Sequence, residues 1–297
     1  MFDLAFLVAP TFAAFSLGII LNKTGIIRRE SVDFLLKLIF ALTLPALMLS
    51  TLPLVELTSD FLYLPLISTI VILVTFAASL LAGRLLGMRG ETLAVLLIGT
   101  TVMNLGIAMP FIKSFYGDEG LSRLFMFDLP NGLSAFTLSA FIAGRYGASK
   151  GRAVWRKFAA SPPLWALAAG MGMNLLSLRP YPIAIHVLNE IGELTIPLLL
   201  LALGASVRLP KTSITRLLAG ISLRMAFGMV TGLILVELFG LEGINRAIAV
   251  ICASAPAGYN TLMYSSLEKL DIEYAASLVS ATMIAGMLLI PALLSVL

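Results

Sequence analysis

Cysteine and histidine occur once each in the 297 residues, as Cys252 and His186. A single cysteine excludes an intramolecular disulfide and any cysteine-cluster metal site. A single histidine excludes HExxH and every multi-histidine site, so no metal is expected. A Ser/His/Asp relay would have to use His186, which falls near a helix end, where a lone histidine reads as a surface residue. Charge is scarce as well. Asp, Glu, Lys and Arg make up 12% of the chain, against roughly 25% in a soluble domain, too few to cover a water-facing surface. No GxGxxG or GxxxxGK[ST] pattern occurs, which leaves ATP-driven pumping by this chain without support. No basic stripe with interleaved aromatics occurs, which speaks against nucleic acid as a partner. The opening MFDLAFLVAPTFAAF is apolar but has no basic flank and carries Asp3, so it reads as a first permanent span rather than a secretory signal.

What is abundant is apolar. Such residues make up 59% of the chain, and the mean hydropathy is +1.01. About 20 apolar residues are needed to cross about 30 Å of hydrocarbon. Applied along the chain, that rule predicts helices at 3–22, 31–52, 59–86, 91–115, 121–144, 160–178, 183–207, 213–239, 243–267 and 271–296. Strands are excluded, because an open sheet edge in lipid leaves backbone groups unpaired. The fold class is therefore an all-α integral membrane protein of ten transmembrane helices, with the lipid bilayer as its solvent.

Basic residues set the orientation. The loops after predicted helices 1, 3, 5 and 7 carry Lys23, Arg28, Arg29, Arg84, Arg89, Arg145, Lys150, Arg152, Arg156, Lys157, Arg208, Lys211 and Arg216. Those after helices 2, 4, 6 and 8 carry only Lys113, Arg123, Arg179 and Arg246. Positive loops stay inside. Both termini are thus expected outside, in a multi-pass protein of the cell inner (plasma) membrane.

The halves resemble each other. Leu42-Thr43-Leu44-Pro45-Ala46-Leu47 reads like Leu194-Thr195-Ile196-Pro197-Leu198-Leu199, and Ala94-Val95-Leu96-Leu97 like Ala249-Val250-Ile251-Cys252. Both matches share nearly the same offset, about half the chain. Five helices per copy turn the second copy upside down, so the expectation is a 5+5 inverted repeat, 1–146 and 147–297, a common transporter architecture.

Transporter sites tend to sit where helices are interrupted near the bilayer midplane. Predicted helix 4 holds Gly99-Thr100-Thr101-Val102-Met103-Asn104-Leu105-Gly106, with Pro110 beyond, and helix 9 holds Ala255-Pro256-Ala257-Gly258-Tyr259-Asn260-Thr261. Proline removes a backbone donor and glycine leaves helical angles cheaply. Two breaks that cross would bring together two half-helix N-termini and two asparagines, a site suited to a carboxylate. The candidate substrate-binding residues are Thr100, Thr101, Asn104, Gly106, Pro256, Gly258, Tyr259, Asn260 and Thr261. For either helix alone, a simple kink explains the residues as well. The symmetric pair favours a site.

Ionisable residues within spans are functional candidates. Asp128 and Asn131 share one face of helix 5 and are placed either to bind a proton or a cation, or to hold the crossing. Glu193, with Glu190 on the same face, sits one turn before Pro197. Asp128, Asn131 and Glu193 are the ion-coupling candidates. Pro45, Pro110, Pro197 and Pro256 are the helix-break positions, with Pro45 and Pro197 read as scaffold kinks. Lys37 is expected to snorkel, and Arg224 and Glu237 are read as structural.

At Asn104-Leu105-Gly106 with Pro110, at Pro256-Ala257-Gly258-Tyr259-Asn260, and at Asp128 with Asn131, the chain resembles the auxin efflux carrier family. Where members tend to carry a second glycine shortly before the helix 4 proline, Ala108 and Met109 stand here. The resemblance implies the fold of the bile-acid/sodium symporter superfamily, with helices 4 and 9 broken and crossing. Helices 1, 2, 6 and 7 would form a scaffold, which often makes a homodimer contact, and helices 3–5 and 8–10 would form the moving domain. It also implies a small organic anion as substrate and no cofactor, with sodium or proton coupling open. The expected function is a secondary carrier of such an anion by alternating access, with a sodium-coupled symporter on the same fold as the alternative. An intramembrane enzyme lacks a clear nucleophile–base pair. A sensor or assembly subunit would show no flux.

Overall fold

The computed structural model describes residues 4–56, 59–148, 161–208 and 210–297. The central part of the basic stretch between predicted helices 5 and 6 lies outside these residues. Among these residues fifteen α-helices follow in chain order: α1 (Leu4–Lys23), α2 (Arg29–Leu38), α3 (Leu44–Thr51), α4 (Tyr63–Leu85), α5 (Gly90–Thr101), α6 (Leu105–Phe136), α7 (Leu138–Tyr146), α8 (Pro162–Leu175), α9 (Pro182–Glu193), α10 (Thr195–Ser206), α11 (Ile214–Ile221), α12 (Phe227–Leu238), α13 (Gly243–Ala253), α14 (Asn260–Glu268) and α15 (Ile272–Leu294). Among the described residues the β structure is one isolated antiparallel bridge, Met103 with Ala257.

Among the described residues six helical stretches are long and apolar enough to cross a membrane: Phe6–Lys23, Glu30–Leu54, Asp60–Leu85, Pro182–Ser206, Ile214–Leu238 and Ile272–Leu294. Three of them are interrupted internally, and proline accounts for two. Pro45 has no N–H to close the helical bond to the Ala41 carbonyl, and the backbone widens into a π turn over Ile39–Thr43 just before it. Pro197 likewise leaves the Glu193 carbonyl free, and the helix is interrupted at Leu194, between α9 and α10. The third stretch contains a π turn at Ser222–Ala226, between α11 and α12.

Predicted helices 4 and 5 were expected to be separated by residues 116–120, and the chain does break there. Gly117 is non-helical, at φ 58° and ψ −146°, and divides α6 into two helices on either side of a kink. Only glycine adopts that backbone freely, so the connection is shorter than the five residues expected.

The chain divides into two compact units. The first comprises Met1–Thr58, Met109–Phe125 and Ala159–Val207. Here small residues let backbones approach, as is usual between helices in lipid. A Cβ on Gly204 of α10 would overlap the Phe15 carbonyl of α1, and one on Gly18 the Leu201 carbonyl. Gly192 of α9 lies against the Leu47 backbone of α3, where a Cβ would come within 2.7 Å of Cα. The Asn174 amide of α8 donates to the Leu52 and Val55 carbonyls, both at 2.7 Å, and so closes the end of α3.

The second unit comprises Ser59–Ala108, Met126–Phe158 and Arg208–Leu297. Its centre is α5 and α13. Both are almost wholly buried, from Leu93 to Thr101 and from Ala247 to Ala253, as in a helix enclosed by others. At 12 and 11 residues each is about 17 Å long at 1.5 Å per residue, roughly half of a hydrocarbon core. Each stops at an interruption, and a second helix, α6 or α14, resumes beyond it.

Candidate functional site at the paired helix breaks

The two interruptions meet within the second unit. α5 ends at Thr101, and Val102 turns extended (φ −92°, ψ 130°). α13 ends at Ala253, and α14 begins at Asn260. The extended pieces run antiparallel. The Asn104 N–H donates to the Pro256 carbonyl and the Gly258 N–H to the Val102 carbonyl, both at 2.8 Å. Glycine is required at 258, because a Cβ there would sit 2.7 Å from Val102 Cγ1. The Pro256 ring packs on Gly286 of α15, where a Cβ would overlap its Cγ.

A two-strand contact leaves each strand's outer edge unpaired, and side chains meet three of the four outward groups here, both of Met103 and the N–H of Ala257. Asn131 Oδ1 accepts from the Met103 N–H at 2.8 Å, and its amide donates to the Met103 carbonyl at 3.0 Å. The same amide nitrogen donates to Asp128 Oδ1 at 2.8 Å. On the opposite edge the Ala257 N–H donates to Thr282 Oγ1 of α15 at 3.1 Å.

The helix ends differ in what they offer. At the C-terminal ends, one guanidinium serves both. Arg224 Nη1 donates to the Thr100 carbonyl at 2.7 Å, and Nη2 to the Ala253 carbonyl at 2.5 Å. Arg224 is fully buried, and among the described residues no carboxylate pairs with it. Around the resuming helices, three buried donors find no acceptor among the described residues: Thr101 Oγ1, Asn104 Nδ2 and Thr261 Oγ1. Thr101 closes α5, Asn104 immediately precedes α6, and Thr261 opens α14. Helix N-termini carry a positive partial charge, and unpaired donors beside them add to an environment that favours negative charge.

The remaining candidates fall as follows. Thr100 is buried, and its hydroxyl donates back to the Leu96 carbonyl at 2.7 Å. Gly106 and Asn260 are half-buried in the first turns of α6 and α14, and Tyr259 is half-buried just ahead of α14. Pro110 is buried inside α6 without breaking it. Glu193 belongs to the first unit, is exposed, and accepts from the Asn189 amide at 3.1 Å. The second unit thus holds every substrate-binding candidate together with Asp128 and Asn131, while Glu193 lies outside it. From sequence Arg224 is read as structural, because Glu237, its one acidic neighbour along the helix, is too far away to pair, and in the structure its bonds go to two backbone carbonyls. Glu237 instead pairs with Arg246 at 2.7 Å. The signal was available: an arginine amid an apolar stretch long enough to span is a functional candidate by default.

Residues 4–294 match the membrane transport protein family. A helical protein with two interrupted, mutually bonded helices and long apolar stretches is thereby a transporter of the membrane, and the chain belongs to that family, the auxin efflux carriers. It is 25% identical over 282 residues, 93% of its own length and 92% of the other's, to a protein of Methanothermobacter thermautotrophicus described as an uncharacterized transporter. It is also 25% identical over 279 residues, 90% of each chain, to one of Methanocaldococcus jannaschii described in the same words.

Proposed function

We propose that the chain is a secondary carrier of a small organic anion in the cell membrane, working by alternating access around the paired helix breaks. Ten spans in two inverted repeats, 1–146 and 147–297, are part of this reading, as is a division into scaffold and transport helices. The observation that carries it is the crossing of α5–α6 with α13–α14, flanked by two helix N-termini and by the unpartnered donors of Thr101, Asn104 and Thr261. A carboxylate supplies the acceptors these donors lack. It also complements the positive ends of both helices. The grouping of all these residues in one compact unit supports a carrier in which the site travels as a piece.

The test uses purified protein and a panel of mono- and dicarboxylates. A carboxylate that binds should raise the thermal midpoint, because a ligand bound only by the folded state stabilises it. The same compound should exchange across proteoliposome membranes. The Asn104 amide nitrogen bonds nothing among the described residues, so Asn104→Ala should keep a midpoint near that of the parent while losing both the carboxylate response and the flux. Normal flux in both Asn104→Ala and Asn260→Ala would remove the site from the crossing.

A further inference from the structure

A buried charge without a countercharge is among the costliest groups a protein can hold, and Arg224 has no carboxylate partner among the described residues. What faces its guanidinium is the Thr100 carbonyl in the last turn of α5 and the Ala253 carbonyl that ends α13. Each helix C-terminus carries about half a negative charge. Two of them sum to about one, which matches one guanidinium. The fit is also steric. Gly228 sits one turn after Arg224, and a Cβ there would come within 2.5 Å of Nη2 and would overlap the Ala253 carbonyl. The π turn at Ser222–Ala226 holds Arg224 at its centre, so the helix changes its winding at the very residue that reaches both ends.

Where carriers of interrupted helices bind alkali cations, freed carbonyls and half-helix C-termini supply the ligands. We infer that Arg224 is a built-in cation, a guanidinium fixed between the two carbonyl ends that would otherwise attract a sodium ion. The position is already filled by positive charge belonging to the chain. A sodium ion brought there would meet the guanidinium and find its two carbonyls engaged. On the carrier reading, the cycle of this protein then proceeds without sodium. The inference about the ion itself needs no flux to be tested.

The purified full-length protein is unfolded thermally in sodium chloride and in choline chloride at equal ionic strength. The parent protein should give the same midpoint in both. Arg224→Ala should have a lower midpoint in choline that rises by about 2–4 °C as sodium replaces choline at severalfold above its dissociation constant. Arg224→Lys, which restores a positive charge, should be as indifferent to sodium as the parent. A merely structural arginine predicts no such difference between the two salts. A sodium-specific rise in the parent protein overturns the inference, as does an Arg224→Ala protein that ignores sodium. If Arg224→Ala gives no folded protein, Arg224→Gln, which keeps an amide donor without the charge, is measured instead. Loss of folding in both variants, in sodium and choline alike, overturns the ion-replacing role. A failure of carboxylate flux with these salt responses intact would count against the carrier reading alone.

Discussion

A carboxamide presents a donor and an acceptor much as a peptide group does, and Asn131 uses both on Met103. Removing them leaves a buried N–H and a buried carbonyl unmet, at a cost of about 1–3 kcal/mol for each. Asn131→Leu should therefore lower the thermal midpoint by several degrees, well below that of Asn104→Ala, whose amide nitrogen makes no bond. Thermal unfolding of the two variants side by side separates a residue that holds the crossing from one whose amide nitrogen is left open. Of the two roles open to Asn131 in the sequence, binding an ion or holding the crossing, its bonds to Met103 favour the second. Spacing placed Asp128 and Asn131 on one face. It gave no sign that Met103, an apolar residue, was the partner, because the bonds go to its backbone. The partners of Arg224 were hidden for the same reason, though the residue itself was not: carbonyl acceptors leave no trace in side-chain identity.

At the level of the helices, composition marked the interruptions well. Pro256 and Gly258 fall in the break between α13 and α14, and Asn104 ends the break between α5 and α6. The connection between predicted helices 4 and 5 was legible too. Tyr116 to Gly120 holds two glycines and two acids, which read as a loop, and the helix breaks there at Gly117. The loop is shorter than expected because the acids after the break find local partners: Asp118 pairs with Lys113, and Glu119 with Arg123 at 3.0 Å. Gly117→Ala would force an L-residue to φ 58° with ψ −146°, at about 1–3 kcal/mol. Nothing lies within 4 Å of a Cβ built there, so backbone conformation alone sets the cost. A lowered midpoint in Gly117→Ala is the expected result. An unchanged one would mean that the turn can relax.

At the scale of the molecule, six stretches among the described residues are long and apolar enough to span, and the basic loops alternate along the chain. The proposed topology follows from these together, and labelling tests it. Cys252 is buried and is the sole cysteine, so Cys252→Ala provides a clean background. In that background Arg89→Cys, in an exposed turn after α4, should react with a membrane-impermeant maleimide only from the cytoplasmic side. Glu242→Cys, exposed ahead of α13, should react only from the outside. Labelling of both from the same side would contradict the odd number of crossings that separates them.

Proteins immersed in lipid normally escape the problem of strand edges by curling a sheet into a barrel. The pairing of Met103 with Ala257 does so with one residue from each chain segment. A carboxamide serves both outward groups on one rim and a hydroxyl accepts the N–H on the other. Met103 and Ala257 are buried in protein, the condition under which backbone outside a helix survives at membrane depth. The two residues that act as stoppers, Asn131 and Thr282, are for that reason as much a part of the backbone's wiring as the peptide groups they serve.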